Sequence, residues 1–451
     1  MIESIILLRY DFSISILYDA KERIRLAKTS SSPLTAILVG AGQRSTIYAS
    51  YSEKHPEALR IVGVVEPDVE RRRLAAERFG IDEAHCFDSV EQLTALPRIA
   101  EAAINGTMDE LHVQTTIPLL EAGYDVLLEK PIGVTEEEVL HLQRKAEEHG
   151  RTVMICHVLR YAPFYTAIQR RIADGELGEI INIQTSEHVS YHHMAVSFIR
   201  GKWGSVAKCK SSMLMAKCCH DLDLITWLNG SAQPTSVSSY GSLMQFRADK
   251  APEGAGTRCL TDCKIEASCP YSAKKNYIDQ GRWGFYVWNN YHLGATMSLE
   301  EKLESLRTDN PYGRCVWHCD NDVVDHQSVI IEFDNGSTAS HNMIGATAKP
   351  CRIIHIIGTK GEIQGVMEDG HFVVRHFNPV QGQEYTEEHV TLDPGGDGHG
   401  GGDLRLAEDF VLTLRGDEAS ASSTTLDQSI TGHLIGFAAE RSRLEGRMVR
   451  L

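Results

Sequence analysis

Between residues 34 and 156, short apolar runs alternate with longer stretches whose apolar residues recur at helical spacing. The apolar runs are Thr35–Val39, Ile61–Val65, Ala102–Asn105, Asp125–Leu128 and Thr152–Cys156. The helical stretches are Asp68–Phe79, Asp109–Ala122 and Thr135–His149, and a glycine ends each of them. Strands that alternate with helices at this rhythm predict βαβ units, and therefore a parallel sheet with helices against its faces.

After about residue 157 this rhythm changes, and strand-like runs become more frequent. The strand candidates are Ile180–Ser186, Thr235–Tyr240, Val329–Phe333 and Ile353–Ile357. The helix candidates are Pro163–Asp174, His220–Leu228, Asp403–Arg415 and Leu426–Arg443. This pattern predicts an α+β domain built on a largely antiparallel sheet. A glycine-rich loop, Gly395–Gly402, precedes the last two helices and is either a cover for a site or a simple turn.

The first turn of the parallel region carries a glycine signature, Gly40-Ala41-Gly42-Gln43-Arg44-Ser45. In G-x-G-x-x-G turns the first glycine permits the tight bend and the second lets the backbone approach a pyrophosphate, so serine in third place is tolerable. Glu66 ends the next strand, where an acid can bind an adenosine ribose and repel a 2′-phosphate. We therefore expect NAD rather than NADP, although the nearby basic run 71–73 keeps NADP open. The other interpretation is an ordinary βαβ turn. The predicted cofactor contacts are Gly40, Gly42, Gln43, Arg44 and Glu66.

Further motifs follow in a recognisable order, and with them the chain resembles the Gfo/Idh/MocA oxidoreductases. The matching stretches are Val64–Asp68 (VVEPD), Asn105–His112 (NGTMDELH), Leu127–Gly133 (LLEKPIG), Leu159–Tyr165 (LRYAPFY), Gly175–Ile180 (GELGEI), Cys218–Leu228 (CCHDLDLITWL) and Ile356–Ile363 (IIGTKGEI). The glycine turn alone is a weak signal, whereas the EKP and HDLD motifs in this order are specific. The resemblance extends from about residue 34 to the C-terminus.

The resemblance implies a Rossmann dinucleotide-binding domain followed by a C-terminal α/β domain with a large, mostly antiparallel open sheet. We accordingly expect an extension at residues 1–33, the Rossmann domain at 34–156, and a substrate-binding and oligomerisation domain at 157–451. A homodimer or homotetramer is implied as well. The family's catalytic lysine and histidine fall on Lys130 and His220, and a cis bond before Pro131 is suggested. Thr107, His112, Glu129 and Lys130 are the further cofactor contacts that it implies.

One position departs from the family pattern. Inositol-dehydrogenase-like members carry an aspartate four residues before the histidine, whereas this chain has Ala216, followed by Lys217. The general base is therefore open. Asp221 and Asp223 are expected in the first turn of a helix that begins at His220, where the helix dipole alone favours acids, and Asp223 is given no role. Lys130 and His220 could instead be a solvated strand-end lysine and a helix-capping histidine, but their order favours catalysis.

Polar donors and aromatic faces, which suit a polyhydroxylated substrate, are concentrated between Ser186 and Trp203. The predicted substrate contacts are Arg160, Tyr161, His193, Arg200, Lys217 and His220. A surface position is an equally good interpretation for Lys217. The substrate class is then a sugar, a cyclitol or a sugar derivative.

Composition excludes other classes of function. The formal net charge of −16 disfavours binding to nucleic acid, which requires clustered basic residues. No apolar run is long enough to cross a membrane, and residues 1–33 lack the features of a signal peptide. A cytoplasmic protein with reduced thiols and a small-molecule substrate is expected.

Eleven cysteines raise the question of a metal. Cys259, Cys263 and Cys269 lie close together, and Cys315 follows later in the chain. Structural zinc usually takes four thiolate or imidazole ligands with at least one short cysteine pair. The spacings here are looser, so ordinary reduced thiols are the favoured interpretation and zinc is the alternative.

Three functions remain at this point. The first is dehydrogenation or reduction of a sugar-like carbinol with NAD. The second is a glycosidase or lyase that oxidises a sugar transiently and keeps its NAD. The third, an NAD-sensing regulator without catalysis, is disfavoured by Lys130 together with His220.

Overall fold

The computed structural model describes residues 32–288, 297–393, 399–418 and 420–451. The predicted N-terminal extension lies outside the described residues except for positions 32 and 33. The glycine-rich loop at 395–402 is described only from His399 onward.

The first half of the chain forms a six-stranded sheet in which every neighbouring pair is parallel. Its strands are β1 (Leu34–Val39), β2 (Leu59–Val65), β3 (Cys86–Phe87), β4 (Ala102–Asn105), β5 (Asp125–Leu128) and β6 (Val153–Ile155). Their order is β3-β2-β1-β4-β5-β6. The predicted parallel sheet is therefore confirmed. Strand β3 was not predicted from the sequence, because two residues at a sheet edge give no periodic signal.

Helices connect these strands, and their ends follow ordinary capping chemistry. They are α1 (Gln43–Ala49), α2 (Val69–Phe79), α3 (His112–Glu121) and α4 (Glu136–His149), with short helices at Tyr51–Lys54 and Val90–Thr94. Asp68 caps α2 by accepting the Arg71 amide at 2.8 Å, and Gly80 ends the helix in the left-handed conformation. Such capping satisfies backbone groups that have no partner inside the helix.

The second half forms a nine-stranded sheet with one parallel pair, β7 beside β10. Its strands are β7 (Ile180–Ser190), β8 (Pro234–Ser242), β9 (His326–Phe333), β10 (Thr338–Thr347), β11 (Cys351–Gly358), β12 (Gly361–Val366), β13 (His371–Val380), β14 (Gln383–Thr391) and β15 (Val449–Arg450). The order is β14-β13-β12-β11-β7-β10-β9-β8-β15. The predicted mostly antiparallel sheet is confirmed.

The helices of the second half are α5 (Pro163–Ala173), α6 (Met213–Leu228), α7 (Leu299–Arg307), α8 (Gly402–Leu414) and α9 (Leu426–Glu445). Shorter α-helical segments lie at Tyr191–His193, Val206–Cys209 and Gly284–Val287.

Helix α6 begins seven residues earlier than predicted, at Met213, with Ser212 as its cap. His220 and Asp223 therefore lie in the middle of the helix, and the expectation that His220 opens a helix is wrong. Nearly all of its side chains are buried, polar ones included, so the helix is enclosed on every side and shows no amphipathic period from which its start could be predicted.

The last two long helices return to the parallel sheet. Leu406 and Phe410 of α8 belong to the apolar cluster that contains Leu34 and Leu38 of β1. Ile430 of α9 belongs to the cluster on the other side, with residues of β5 and β6. The C-terminal segment thus supplies part of the core around the N-terminal sheet.

Candidate active site

The glycine turn after β1 leaves the backbone tightly packed. Gly40 has a φ of 76°, and a Cβ there would lie 2.9 Å from the Gly106 oxygen, so only glycine fits. Ser45, in the third position of the motif, is fully buried and donates hydrogen bonds to the carbonyls of Gly40 and Gly42. A Cβ on Gly106 would lie 2.7 Å from that of Ser45. In the usual motif a third glycine lets α1 pack close to the sheet. Here Gly106, which follows β4, provides that space opposite Ser45.

Glu66 lies at the end of β2, directly against this turn. Its carboxylate accepts the amides of Ala41 at 2.8 Å and Asp68 at 3.0 Å. In the neighbouring basic run, Arg72 donates to the Glu66 carbonyl and Arg73 pairs with two glutamates on the surface of α2. The turn thus presents a carboxylate where a dinucleotide's adenosine end would lie, and Gln43 is exposed beside it.

Arg44, predicted to contact the cofactor, binds other protein groups instead. Its guanidinium lies 2.9 Å from Glu129 and 2.6 Å from Asp403 of α8, and it donates to the Tyr48 hydroxyl. This clamp joins α1, the end of β5 and α8, because a planar guanidinium can serve several acceptors at once. These contacts give Arg44 a positioning role, and its contact with the cofactor stays a prediction. Asp403 was not foreseen, since a carboxylate in a helix's first turn is common without function.

The same clamp holds the EKP motif in place. Glu129 is buried; burial would raise its pKa, but Arg44 and Lys130 outweigh that effect and lower it. Its carboxylate accepts the Tyr48 hydroxyl at 2.8 Å and the Lys130 amide at 2.7 Å. The bond between Lys130 and Pro131 is cis, as the resemblance suggested. Glu129 therefore fixes the backbone that carries Lys130.

His112, another predicted cofactor contact, is enclosed by backbone groups. Its buried ring lies between two carbonyls, with Nδ1 2.6 Å from the Pro131 oxygen and Nε2 3.2 Å from the Thr107 oxygen. Both ring nitrogens thus face backbone carbonyls, one of which accepts the N–H of a neutral ring, and His112 links the loop after β4 to the loop after β5. The Thr107 side chain is itself bonded to Asn105 at 2.9 Å.

Lys130 and His220 come together from the two halves of the molecule. The Lys130 ammonium donates to the Ala216 carbonyl at 2.7 Å, and Ala216 precedes His220 by one turn of α6. Burial lowers the pKa of His220 well below its usual value, and the charge of Lys130 adds to the effect. Within the described part of the chain, His220 Nδ1 is buried and has no hydrogen-bond partner. Burial and the charge of Lys130 thus favour the neutral form of the His220 imidazole.

Behind His220, the side chains of Asp223 and Arg160 form a buried pair. Their contacts of 2.6 and 2.7 Å are bidentate, and His157 lies 2.8 Å from the same carboxylate. The remaining Arg160 donors reach backbone carbonyls of Ser423 and Gln428. Asp223 thus has a structural role, contrary to the expectation, and Arg160 is not free to bind substrate.

Tyr161 and Arg200, also predicted substrate contacts, are likewise engaged internally. The Tyr161 hydroxyl donates to Asp409 of α8 at 2.8 Å in the buried core. Arg200 is buried and donates to the carbonyl oxygens of Arg314 and Tyr271. Sequence patterns cannot distinguish these donors from substrate ligands, because both kinds are polar residues next to a motif.

Lys217 belongs to a buried charge network on the opposite side of α6. It lies 2.9 Å from Glu187, which also binds Arg352 at 2.8 Å, and Arg352 reaches Asp221 at 3.2 Å. Burial would raise the pKa of Glu187, but Arg352 and Lys217 hold it well below its usual range. Burial raises the pKa of Asp221 despite Arg352. Neither Glu187 nor Arg352 was singled out from sequence.

Aromatic side chains of the long segment between β8 and β9 pack against His193, whose ring lies next to this network. Trp283 stacks on His193 with ring centres 4.6 Å apart, and Tyr286 stacks on Trp283 at 5.9 Å. Trp203 donates its indole N–H to Asp109 at 3.0 Å and meets the Tyr286 ring at 6.0 Å. His193 therefore lies in a wall of aromatic rings that spans both halves, and only the richness in aromatic residues signalled it.

Among the residues that the structure describes, two buried groups bring possible metal-ligand atoms within 4.8 Å of one another: His157, Cys219 and His433; and Cys218, Asp221 and His341. Hydrogen bonds within the protein already occupy several of these atoms. His433 Nε2 accepts the Ile132 amide at 2.9 Å, and His341 Nδ1 lies 2.8 Å from the Thr185 hydroxyl. We assign these groups to internal packing.

The comparison with protein families decides the class. Residues 34–157 match the GFO_IDH_MocA model, described as an oxidoreductase family with an NAD-binding Rossmann fold. Residues 169–451 match the companion model, the C-terminal alpha/beta domain of the same oxidoreductase family. The chain belongs to the Gfo/Idh/MocA oxidoreductase family. It is accordingly an NAD-binding oxidoreductase, and the resemblance seen in its motifs is confirmed.

Three curated relatives of this Gfo/Idh/MocA oxidoreductase match it at 24% to 26% identity. "Putative oxidoreductase YteT" of Bacillus subtilis (strain 168) is 24% identical over 405 residues, which is 84% of this chain and 90% of that protein. An inositol 2-dehydrogenase of Corynebacterium glutamicum is 24% identical over 204 residues, 45% of this chain and 56% of that enzyme. A trans-1,2-dihydrobenzene-1,2-diol dehydrogenase of Bos taurus is 26% identical over 45% of this chain and 58% of its own length. The last two matches thus cover little more than half of those enzymes.

Solved structures share the fold. Levoglucosan dehydrogenase in complex with NADH superposes with a TM-score of 0.67 at 17% identity, covering 93% of this chain and 99% of that one. The WlbA dehydrogenase of "Chromobactrium violaceum", in complex with NADH and UDP-GlcNAcA, gives a TM-score of 0.64 at 18% identity, with 94% of this chain and 97% of that one covered.

Among the helices described for this chain, none combines the length and apolar character that crossing a bilayer requires.

Proposed function

We propose that this oxidoreductase transfers hydride between NAD and a carbinol carbon of a sugar, cyclitol or sugar derivative. The observation that carries the proposal is the convergence of Lys130 and His220, joined through the 2.7 Å bond from Lys130 Nζ to the Ala216 carbonyl. The residues around the glycine turn fit a dinucleotide, because Gly40 and Gly42 carry no side chain over the turn and Glu66 lies beside it. Bound NAD supplies the hydride acceptor.

Lys130 and His220 have different tasks in this proposed reaction. An ammonium group has three donors, and Ala216 takes one from Lys130, so others can bind the reacting oxygen of the substrate and stabilise its negative charge. His220 has a pKa well below its usual value because of burial and Lys130, so its ring is neutral near pH 7 and can accept the hydroxyl proton. The aspartate that inositol-dehydrogenase-like relatives place four residues earlier is absent, so His220 performs this task without that partner.

The aromatic wall formed by Trp203, Trp283, Tyr286 and His193 suits the apolar face of a sugar ring, and Lys217 and Glu187 beside His193 suit its hydroxyls. Two relatives named above are dehydrogenases of an inositol and of levoglucosan, which supports this substrate class. None of the relatives named above is a glycosidase or lyase, so the transient-oxidation alternative gains no support from them.

We further propose that NAD is preferred over NADP. The Glu66 carboxylate beside the turn would repel a 2′-phosphate, and in the adjacent basic run Arg72 and Arg73 are bound to protein groups. A cytoplasmic location and a homodimeric or homotetrameric assembly remain predictions.

The test is single-turnover hydride transfer in Lys130→Ala, His220→Ala and the double variant, after a screen of sugars, inositols and glycosides identifies a substrate. Each single change should slow the transfer by about 10²–10⁴-fold, and the double variant should cost much less than the product of the two. NAD binding, followed by titration, should stay nearly constant because the turn and Glu66 are untouched.

Lys208→Ala and His389→Ala are the matched controls, since both residues are exposed and lie in surface pairs. Both controls should keep the wild-type rate. A wild-type rate in Lys130→Ala would reject the assigned role. Release of an aglycone without net NADH would instead establish the alternative reaction.

A further inference from the structure

Four cysteines of the segment between β8 and β9 line a single cavity. They are Cys259, Cys263, Cys269 and Cys315, and the other lining residues include Arg200 and Tyr271. The first three lie within eleven consecutive residues, whereas Cys315 comes from a separate stretch of the chain. The cavity is remote from the Lys130–His220 pair in sequence and is not used by the proposed reaction.

Backbone pairing brings the two stretches together. Arg258 and Arg314 form an isolated antiparallel bridge, in which the Cys259 amide donates to the Gly313 carbonyl at 3.0 Å and the Cys315 amide donates to the Thr257 carbonyl at 2.8 Å. Side chains alternate across such a pairing, so Cys259 and Cys315 project from the same face.

A turn then brings the next cysteine back. Asp262 accepts the amides of Thr257 and Arg258, both at 2.9 Å, which folds the chain between Cys259 and Cys263 upon itself. Further along, the Cys269 amide donates to the Ile265 carbonyl at 3.0 Å, and both residues line the cavity. All four thiols are free, and no three of their sulfurs lie within 4.8 Å of one another, so the side chains would turn toward a bound ion from the walls of the cavity.

The positive charge of Arg200 favours a negatively charged occupant of the cavity. The Arg200 guanidinium is buried and lies 3.4 Å from the Cys259 sulfur. Over the described ranges it forms no ion pair with a carboxylate, and its other contacts are the Tyr277 hydroxyl and two carbonyls. A buried charge without a counter-charge is costly. Thiolates around a divalent metal would supply the missing negative charge, because a tetrathiolate zinc site carries a net charge of −2.

We propose that Cys259, Cys263, Cys269 and Cys315 bind one structural zinc ion. Burial raises the pKa of Cys269, and it raises that of Cys315 to about 11, so these thiols are protonated without metal. Zinc binding would release their protons to solvent as the thiolates coordinate. Spacing alone favours ordinary reduced thiols, and the proposal differs from that interpretation because all four cysteines line one cavity.

The proposed zinc site would also stabilise residues outside the cavity. Arg200 donates to the Tyr277 hydroxyl at 3.0 Å, and a few residues later the same segment carries Trp283 and Tyr286 of the aromatic wall. The zinc would therefore stabilise the segment that faces the substrate, as a structural metal does in small domains with little core.

The experiment is elemental analysis of the full-length protein, expressed and purified without added metal or chelator. About one zinc per chain is expected for the wild type and for Cys319→Ser. Cys319 is the matched control, because it lies four residues after Cys315 and is half-buried but does not line the cavity. Cys263→Ser should retain less than about half a zinc per chain.

Two further measurements keep the proposal falsifiable if Cys263→Ser fails to fold. Cobalt exchanged into the wild type should give the absorption of a tetrahedral tetrathiolate centre, and alkylation after denaturation should label all eleven cysteines. Wild-type protein with less than about half a zinc, or with two disulfides among these four cysteines, would overturn the proposal. Equal zinc loss in Cys319→Ser and Cys263→Ser would overturn the ligand assignment.

Discussion

Replacing Asp223 with asparagine removes the charge that balances Arg160 inside the protein, behind His220. The pair is almost fully buried, with side-chain exposures of 3% and 1%, and its two contacts are 2.6 and 2.7 Å. Breaking a buried pair by removing one partner typically costs about 3–5 kcal/mol, because the other charge stays behind without compensation. We expect Asp223→Asn to lower the free energy of unfolding by this amount at pH 7.

The pKa of Asp223 gives a second estimate of the same size. Burial would raise this pKa, but Arg160 and His157 outweigh it and lower it to about 2. The unfolded value is about 3.9, so the pair contributes about 2.6 kcal/mol at neutral pH. This stability is present above the unfolded pKa and is lost as pH falls through about 2. The difference between wild type and variant should therefore fall by about half at pH 3.

The assay is urea unfolding at pH 7 and pH 3, followed by tryptophan fluorescence, to which Trp227 contributes from 5.7 Å beside Arg160. Asp249→Asn is the control, because its pair with Arg247 is exposed and should be worth under about 1 kcal/mol. Combining Asp223→Leu with Arg160→Met should recover much of the loss, since apolar residues of similar volume can replace a buried pair. A loss below about 1 kcal/mol for Asp223→Asn, with an unchanged urea dependence, would refute the reasoning.

Two predictions concern cofactor choice and acid sensitivity. Glu66→Gln should narrow the preference for NAD over NADP by about tenfold, measured as the ratio of kcat/KM values, because the repulsive charge beside the turn is lost; a wild type that prefers NADP would contradict it. Burial lowers the pKa of His341 to about 4, whereas the unfolded value is about 6.5. The free energy of unfolding should therefore fall by at most about 3.4 kcal/mol as the pH drops from above 6.5 to below 4, because protonation then favours the unfolded chain. His341→Asn should flatten the fall in unfolding free energy between these pH values, whereas exposed His389→Asn should not; the same slope in His341→Asn would show that other groups cause it.

The N-terminal half could be predicted closely because its signals are local. Strands β4 and β5 match the predicted ranges residue for residue, since buried parallel strands are continuous apolar runs bounded by turns. The second half was less predictable. Strand β14 exposes almost every side chain and has no apolar alternation to detect, and the start of α6 was hidden by burial on all sides. A periodic pattern of apolar residues reveals a helix or strand when only one of its faces is buried. It gives little signal when both faces are exposed, as in β14, or both are buried, as in α6.

For the candidate site, motifs identified Lys130 and His220, but they did not identify what holds them. Asp403, Glu187 and Arg352 belong to none of the family motifs, and their importance arises from pairs that only the fold creates. Conversely, Arg160 and Arg200 look like ligands because they flank motifs, yet their donors are used within the protein. A single sequence shows which chemistry is available at a residue, and the partner of that residue depends on contacts hundreds of positions away.

The return of α8 and α9 to the first sheet affects how the chain is made. Synthesis delivers β1 to β6 early, but Leu406 and Phe410, which cover β1, follow eight of the nine strands of the second sheet, and the Thr424 carbonyl that accepts the Ile155 amide comes later still. Domains generally fold as they emerge from the ribosome. Here the nucleotide-binding half must wait with an apolar surface uncovered until translation is almost complete. Truncated or stalled chains should therefore be the species that chaperones retain, and a fusion or tag that restrains the C-terminus should delay this last step most.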